Sequence, residues 1–221
     1  KLVSDYARLL QEGRSFPLGT FKPASRPEIP ADAPTALFFA PHPDDECIVG
    51  GMAVRLMRQA RMSLINVAVT LGSKKERQQE RLRELQDACN YLGFSVETTA
   101  PNGLEKINPK TREQDPEHWS ACVKIIKDII EKHQPKVVQC PHDRDWNSSH
   151  IGTHHLVVDA LKTLGPAFVC FTVETEFWGA MDDPNLMIET SESDLADLLA
   201  ALSFHVGEVQ RNPYHLRMPA W

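Results

Sequence analysis

His42, Asp44 and Asp45 stand within four residues of one another in Ala40-Pro41-His42-Pro43-Asp44-Asp45-Glu46, directly after the apolar run ALFFA at 36–40. An imidazole and a carboxylate three residues apart, on a turn stiffened by Pro41 and Pro43, can be aimed at one point. Both ligand types suit Zn²⁺, which binds a histidine nitrogen or a carboxylate oxygen at about 2.0–2.2 Å. Asp44 lies off the direction that this pair shares and is left to hold a water. The competing reading is a plain acidic helix start, because Asp44, Asp45 and Glu46 all favour a helix N-terminus through its dipole.

A second segment weakens that plain reading. Pro141-His142-Asp143-Arg144-Asp145-Trp146-Asn147-Ser148-Ser149-His150 follows the apolar run KVVQC at 136–140 and again leads into helical spacing. His150 is in line with the stripe Val157, Leu161 and Leu164, so it faces inward rather than toward solvent. Two strand ends therefore offer His42, Asp45 and His150, a three-ligand set with an open position, as catalytic zinc sites use. Fe²⁺ would accept the same ligands.

These residues need a scaffold that brings separate strand ends together, and the pattern supplies one. Short segments at 36–40, 64–70, 95–99, 136–140 and 167–173 read as strands, most of them rich in apolar residues. They alternate with helical spacing at 47–59, 75–92, 118–132, 149–164 and 192–209. Strands that are almost continuously apolar and separated by helices mean a parallel sheet covered on both faces. The expected fold is α/β, Rossmann-like, with ligands outside the carboxyl ends of the strands. Residues 1–34, proline-rich after a short amphipathic stretch around Tyr6, Leu9 and Leu10, are expected to form an N-terminal arm, and 35–221 one domain.

With the elements in place, the motifs resemble a known family. His42-Pro43-Asp44-Asp45-Glu46 followed by Gly50-Gly51, with Ser149-His150-Ile151-Gly152-Thr153-His154 before an apolar helix, is similar to the PIG-L/LmbE deacetylases. Val69-Thr70-Leu71-Gly72, then Arg81 and Glu84, and Leu92-Gly93 extend the resemblance over most of 36–164, and it thins to Glu176, Trp178 and His205 beyond. The resemblance implies a zinc-dependent N-deacetylase acting on an N-acetylglucosaminyl sugar or conjugate. It implies His42, Asp45 and His150 as metal ligands, Asp44 as general base and Arg81 as a sugar contact. Asn147 stands where relatives carry the first histidine of a His-Pro-Asp-His ending, so the proton assigned to that histidine must come from another group. Asn147, His142 and His205 are expected on the substrate side. Trp178 reads as core rather than as a sugar platform. A zinc amidohydrolase on another amide and a sugar-binding relative without turnover are the alternatives, and the intact Asp44 argues against the second.

Composition bounds the remaining choices. A net charge of −6 with scattered basic residues argues against a nucleic-acid partner and leaves a small molecule or glycoconjugate as the expected ligand. No apolar run approaches the ~18–20 residues of a membrane span. Five cysteines occur singly with no C-x-x-C pair, which reads as buried thiols in a reducing, cytoplasmic setting. Cys47 lacks a histidine base in sequence reach and is not expected to be a nucleophile. No G-x-G-x-x-G follows the first strand, which excludes the usual dinucleotide fingerprint. A homo-oligomer is compatible with all of this.

Overall fold

The structure, a computed structural model, describes residues 1–23 and 25–220; Trp221, the last residue of the expected domain, lies outside them. Its centre is a parallel sheet of five strands in the order β3-β2-β1-β4-β5. The strands are β1 (Thr35–Ala40), β2 (Ser63–Ala68), β3 (Ser95–Thr98), β4 (Val137–Pro141) and β5 (Phe171–Thr175). In β1 the pleat sends Ala36 and Phe38 to one face and Leu37 and Phe39 to the other, and residues 36–40 are all buried. That is why the central strand reads as an unbroken apolar run rather than an alternation.

Helices α3 (Gly51–Ala60), α4 (Gln78–Leu92) and α8 (Glu192–Leu202) cover the Phe38 face, whereas α6 (Pro116–His133) and α7 (Ser148–Lys162) cover the Phe39 face. The amphipathic start of the chain forms α1 (Leu2–Gly13), which buries no residue, while Leu18, Phe21 and Ile29 after it pack against the Phe38-side core. No helix among the described residues is long and apolar enough to cross a membrane.

Several expected elements differ in detail, each for a local reason. The helix expected at 47–59 is two, α2 (Asp45–Ile48) and α3, broken at Val49-Gly50. A Cβ on Gly50 would lie 2.1 Å from the carbonyl oxygen of Glu46, so only glycine lets the chain turn there. The helix expected at 75–92 opens with a 3₁₀ turn over Lys75–Arg77 and ends, as its glycine suggests, with Gly93 left-handed at φ 88°. The last strand begins at Phe171 rather than 167, because the turn after Gly165-Pro166 uses the Phe168 N–H for a bond to the Gly165 carbonyl. The helix expected at 192–209 stops at Leu202 and resumes as α9 (Val206–Arg211). Ser203 Oγ bonds back to the Ala200 carbonyl at the break, and His205 is held by Glu46. A six-residue helix, α5 (Pro109–Gln114), capped by Asn108, was too short to show as periodicity.

Candidate metal centre

β1 ends at Ala40, and the next residues fold into a tight turn that its own side chains fasten. Asp45 Oδ2 accepts the His42 N–H at 2.9 Å, and the His42 carbonyl accepts the Asp45 N–H at 3.3 Å. This knot sets His42 Nδ1 3.3 Å from Asp45 Oδ2. At the neighbouring end of the sheet, Asn147 caps α7 by accepting the Ser149 N–H at 2.9 Å, which puts His150 in the first turn and fully out of solvent. His150 Nε2 then lies 3.3 Å from His42 Nδ1 and 3.7 Å from Asp45 Oδ2. Two nitrogens and one carboxylate oxygen converge on a single point, a donor set suited to Zn²⁺ or Fe²⁺.

Asp45 is held below the ordinary carboxylate range: burial pushes it up, but the imidazoles of His150 and His42 more than offset that. His150 moves the other way. Burial disfavours its charge, yet the carboxylates of Asp45 and Asp145 raise it above the usual histidine value. Asp145, which sequence reasoning passed over, stands directly behind that imidazole. Its Oδ1 lies 3.0 Å from His150 Nδ1 and accepts the Asn147 N–H at 2.8 Å. Its Oδ2 accepts the Trp178 and Gly179 N–H groups at 2.8 and 3.0 Å. A carboxylate behind a ligating imidazole fixes its tautomer and ring angle. The signal available in sequence was an acidic residue five before the third ligand, which spacing alone does not single out.

Asp44 adopts φ 113°, a left-handed conformation that costs a non-glycine residue about 1–3 kcal/mol. Glu46 holds it there, since its Oε2 accepts the Asp44 N–H at 3.0 Å. Glu46 Oε1 in turn meets His205 Nε2 at 2.5 Å and Cys47 Sγ at 3.1 Å. Arg81 bonds the Pro43 carbonyl at 2.6 Å and stands 3.8 Å from Asp44 Oδ1. Gly72, at φ 85°, lets that guanidinium pass, because a Cβ there would lie 2.4 Å from it. Burial, then the charge of Asp45, raises Asp44 well above the ordinary carboxylate range, while Arg81 pulls it down.

These groups open onto a cavity of about 570 Å³ whose wall includes His42, Asp44, Asp45, Arg81, Asn147 and Trp178. Trp178 is thus a wall residue, contrary to the core placement expected from sequence. His142 and His205 are corrected in the opposite sense. Both are buried behind the wall, His142 bonding the Gly179 carbonyl at 2.8 Å and His205 bonding Glu46, so neither touches the space a substrate would fill. A second cluster, Glu46, Cys47 and His205, is close enough to surround an ion. It lies wholly out of solvent and lines neither cavity, so it is no part of the candidate centre.

A parallel α/β sheet with two histidines and a carboxylate converging at its carboxyl edge, beside a buried aspartate on a cavity, defines a candidate mononuclear metal centre. The chain belongs to the GlcNAc-PI de-N-acetylase (PIG-L) family, whose model matches residues 37–161 and so spans both ligand segments. No curated protein sequence matches. Three solved structures share the fold. A conserved protein from Thermus thermophilus is 19% identical, with 84% of each chain covered and a TM-score of 0.61. The 4-carboxy-2-hydroxymuconate hydratase of Pseudomonas putida is 18% identical, with 83% of each covered and a TM-score of 0.61. The N,N'-diacetylchitobiose deacetylase of Pyrococcus horikoshii is 18% identical over 97% of this chain and 85% of its own, with a TM-score of 0.54.

Proposed function

We propose that the protein is a zinc-dependent N-deacetylase of an N-acetylated amino sugar or sugar conjugate. His42, Asp45 and His150 are its metal ligands in this reading, and Asp44 is its general base. The observation that carries the proposal is the convergence of those three ligand atoms beside a buried Asp44, with His42, Asp44 and Asp45 on the wall of one cavity. A fold shared with a hydratase does not choose the reaction, so the choice rests on the family and the site.

Zn²⁺ held by this set, or Fe²⁺ in its place, would supply Lewis acidity toward the amide carbonyl and make a water acidic at neutral pH. Asp44 takes the proton of the attacking water. Its place on the cavity wall, beside the candidate ligands, lets it hand that proton on to the amide nitrogen. Asn147 cannot serve as the acid, since its carbonyl is engaged in capping α7 and its amide does not protonate. His142 and His205 are buried behind the wall, which leaves Asp44 to return the proton to the leaving amine. Arg81 orients Asp44 and presents the rest of its guanidinium to the substrate.

The test is Asp44→Asn. That variant should hold metal as the parent does while losing about 10²–10⁴-fold in rate, the usual contribution of general acid–base help. Loss of the metal with the activity would make Asp44 a ligand and overturn the division of roles.

A further inference from the structure

Trp146 is 80% exposed, and no other tryptophan in the described residues is left so open. Burying an indole is among the largest apolar gains a side chain offers, so a rigidly presented, uncovered one suits a ligand's face. The loop that carries it is firmly tied. Asp145 accepts three backbone N–H groups, two of them from Trp178 and Gly179, and His142 Nε2 bonds the Gly179 carbonyl. The backbone on either side of Trp146, four residues before the candidate ligand His150, is thereby held in place.

A second cavity, also about 570 Å³, is bounded by Trp146, Asn147, Trp178, Tyr214 and Arg217. It is an open hollow that shares Asn147, Trp178 and Tyr214 with the lining of the metal-centre cavity, so the two adjoin. Two of its lining rings stand side by side, Tyr214 lying 5.4 Å from Trp178 between centroids.

We infer that this adjoining hollow is a second saccharide subsite, in which Trp146 takes the ring attached to the N-acetylated sugar. The inference rests on the deacetylase reading and names its substrate as at least a disaccharide. A pyranose has an apolar C–H face suited to indole and equatorial hydroxyls suited to the Arg217 guanidinium and the Asn147 amide. A hydrocarbon chain would leave both polar groups facing it without partners.

The experiment compares methyl N-acetylglucosaminide, octyl N-acetylglucosaminide and N,N'-diacetylchitobiose as substrates of the parent, Trp146→Ala and Trp146→Phe. Trp146→Ala should lower kcat/KM on the disaccharide about tenfold more than on the methyl glycoside, roughly 1.4 kcal/mol, and Trp146→Phe should restore most of it. Equal losses on these two substrates would overturn the subsite. A loss on the octyl glycoside as large as on the disaccharide would make it a site for apolar chains instead. If the parent deacetylates none of the three, the deacetylase reading fails, and calorimetric binding of N,N'-diacetylchitobiose decides the subsite. Binding that Trp146→Ala weakens supports it; binding that the substitution leaves alone, or none at all, overturns it. Because Trp146 is exposed, the variants should unfold at the temperature of the parent.

Discussion

Replacing Asp145 by Asn keeps the shape of the side chain but halves its capacity to accept. The carboxylate takes the Asn147 N–H and faces His150 Nδ1 through Oδ1, and it takes the Trp178 and Gly179 N–H groups through Oδ2. An amide oxygen can serve one of those pairs; its NH₂ then points at the donors of the other. Each buried donor left without an acceptor costs about 1–3 kcal/mol, so the substitution should destabilise the metal-free protein by about 2–6 kcal/mol. For a chain of this size that is a fall in Tm of about 4–24 °C. With the ring of His150 free to turn, metal affinity should drop about 10–100-fold. Thermal unfolding with and without Zn²⁺, and a competition titration against a chelator, read both quantities. The charge adds a pH signature. His150 and the backbone donors overcome the effect of burial and hold Asp145 far below the ordinary carboxylate range. Its contribution is therefore complete above the unfolded pKa of about 4 and drains away as pH falls below it. The variant should lack that acid-side loss. A Tm within about 2 °C of the parent and metal affinity within about twofold would refute the assignment of Asp145 as the residue that orients His150.

Other expectations follow from the same contacts. His150→Ala should remove most of the bound metal at pH 7, as read by elemental analysis, and full occupancy would mean that the third ligand lies elsewhere. In the metal-free protein His150 is raised by Asp45 and Asp145, so its stabilising charge is complete below about pH 6.5 and lost as pH climbs through its folded value. Zn²⁺ binding should accordingly release a proton over that window, and calorimetry in buffers of different ionisation heat would detect it. Arg81→Ala should lower kcat/KM by about 1–3 kcal/mol, the size of charged hydrogen bonds, and unchanged kinetics would remove Arg81 from the pocket. Glu46→Gln keeps an oxygen for the Asp44 N–H but weakens the grip of His205, so kcat should fall several-fold with metal retained; an unchanged kcat would show that the His205 contact does not bear on how Asp44 is held.

Much of the scaffold could be read from residue order because both faces of the sheet are covered. ALFFA and KVVQC are apolar almost throughout, and the helices between them carry one apolar stripe each. What escaped was set by single contacts between distant segments. The break at Val49-Gly50 depends on a clash with the Glu46 carbonyl, and the break before α9 on His205 reaching Glu46, 159 residues away. At the site, the three candidate ligands stood out because they sit in proline-stiffened or helix-capping turns at strand ends. Asp145 did not, because its role depends on the Trp178–Gly179 segment folding back over it. His142 was placed at the substrate for its nearness to the second motif and His205 for its family-like stretch, whereas their depth is decided by which carbonyl or carboxylate each one meets.

The central claim is metal-dependent removal of an acetyl group, and the most direct measurement is product stoichiometry. Chelator-stripped protein is titrated with Zn²⁺ or Fe²⁺ in the presence of an N-acetylglucosaminide, and acetate and free amine are counted together. Activity should rise to saturation near one metal per chain, with one acetate and one amine formed per substrate consumed, and His150→Ala should not reach it. Metal-saturated protein that releases no acetate from any N-acetylglucosaminide, or stripped protein as active as the loaded form, would contradict the claim.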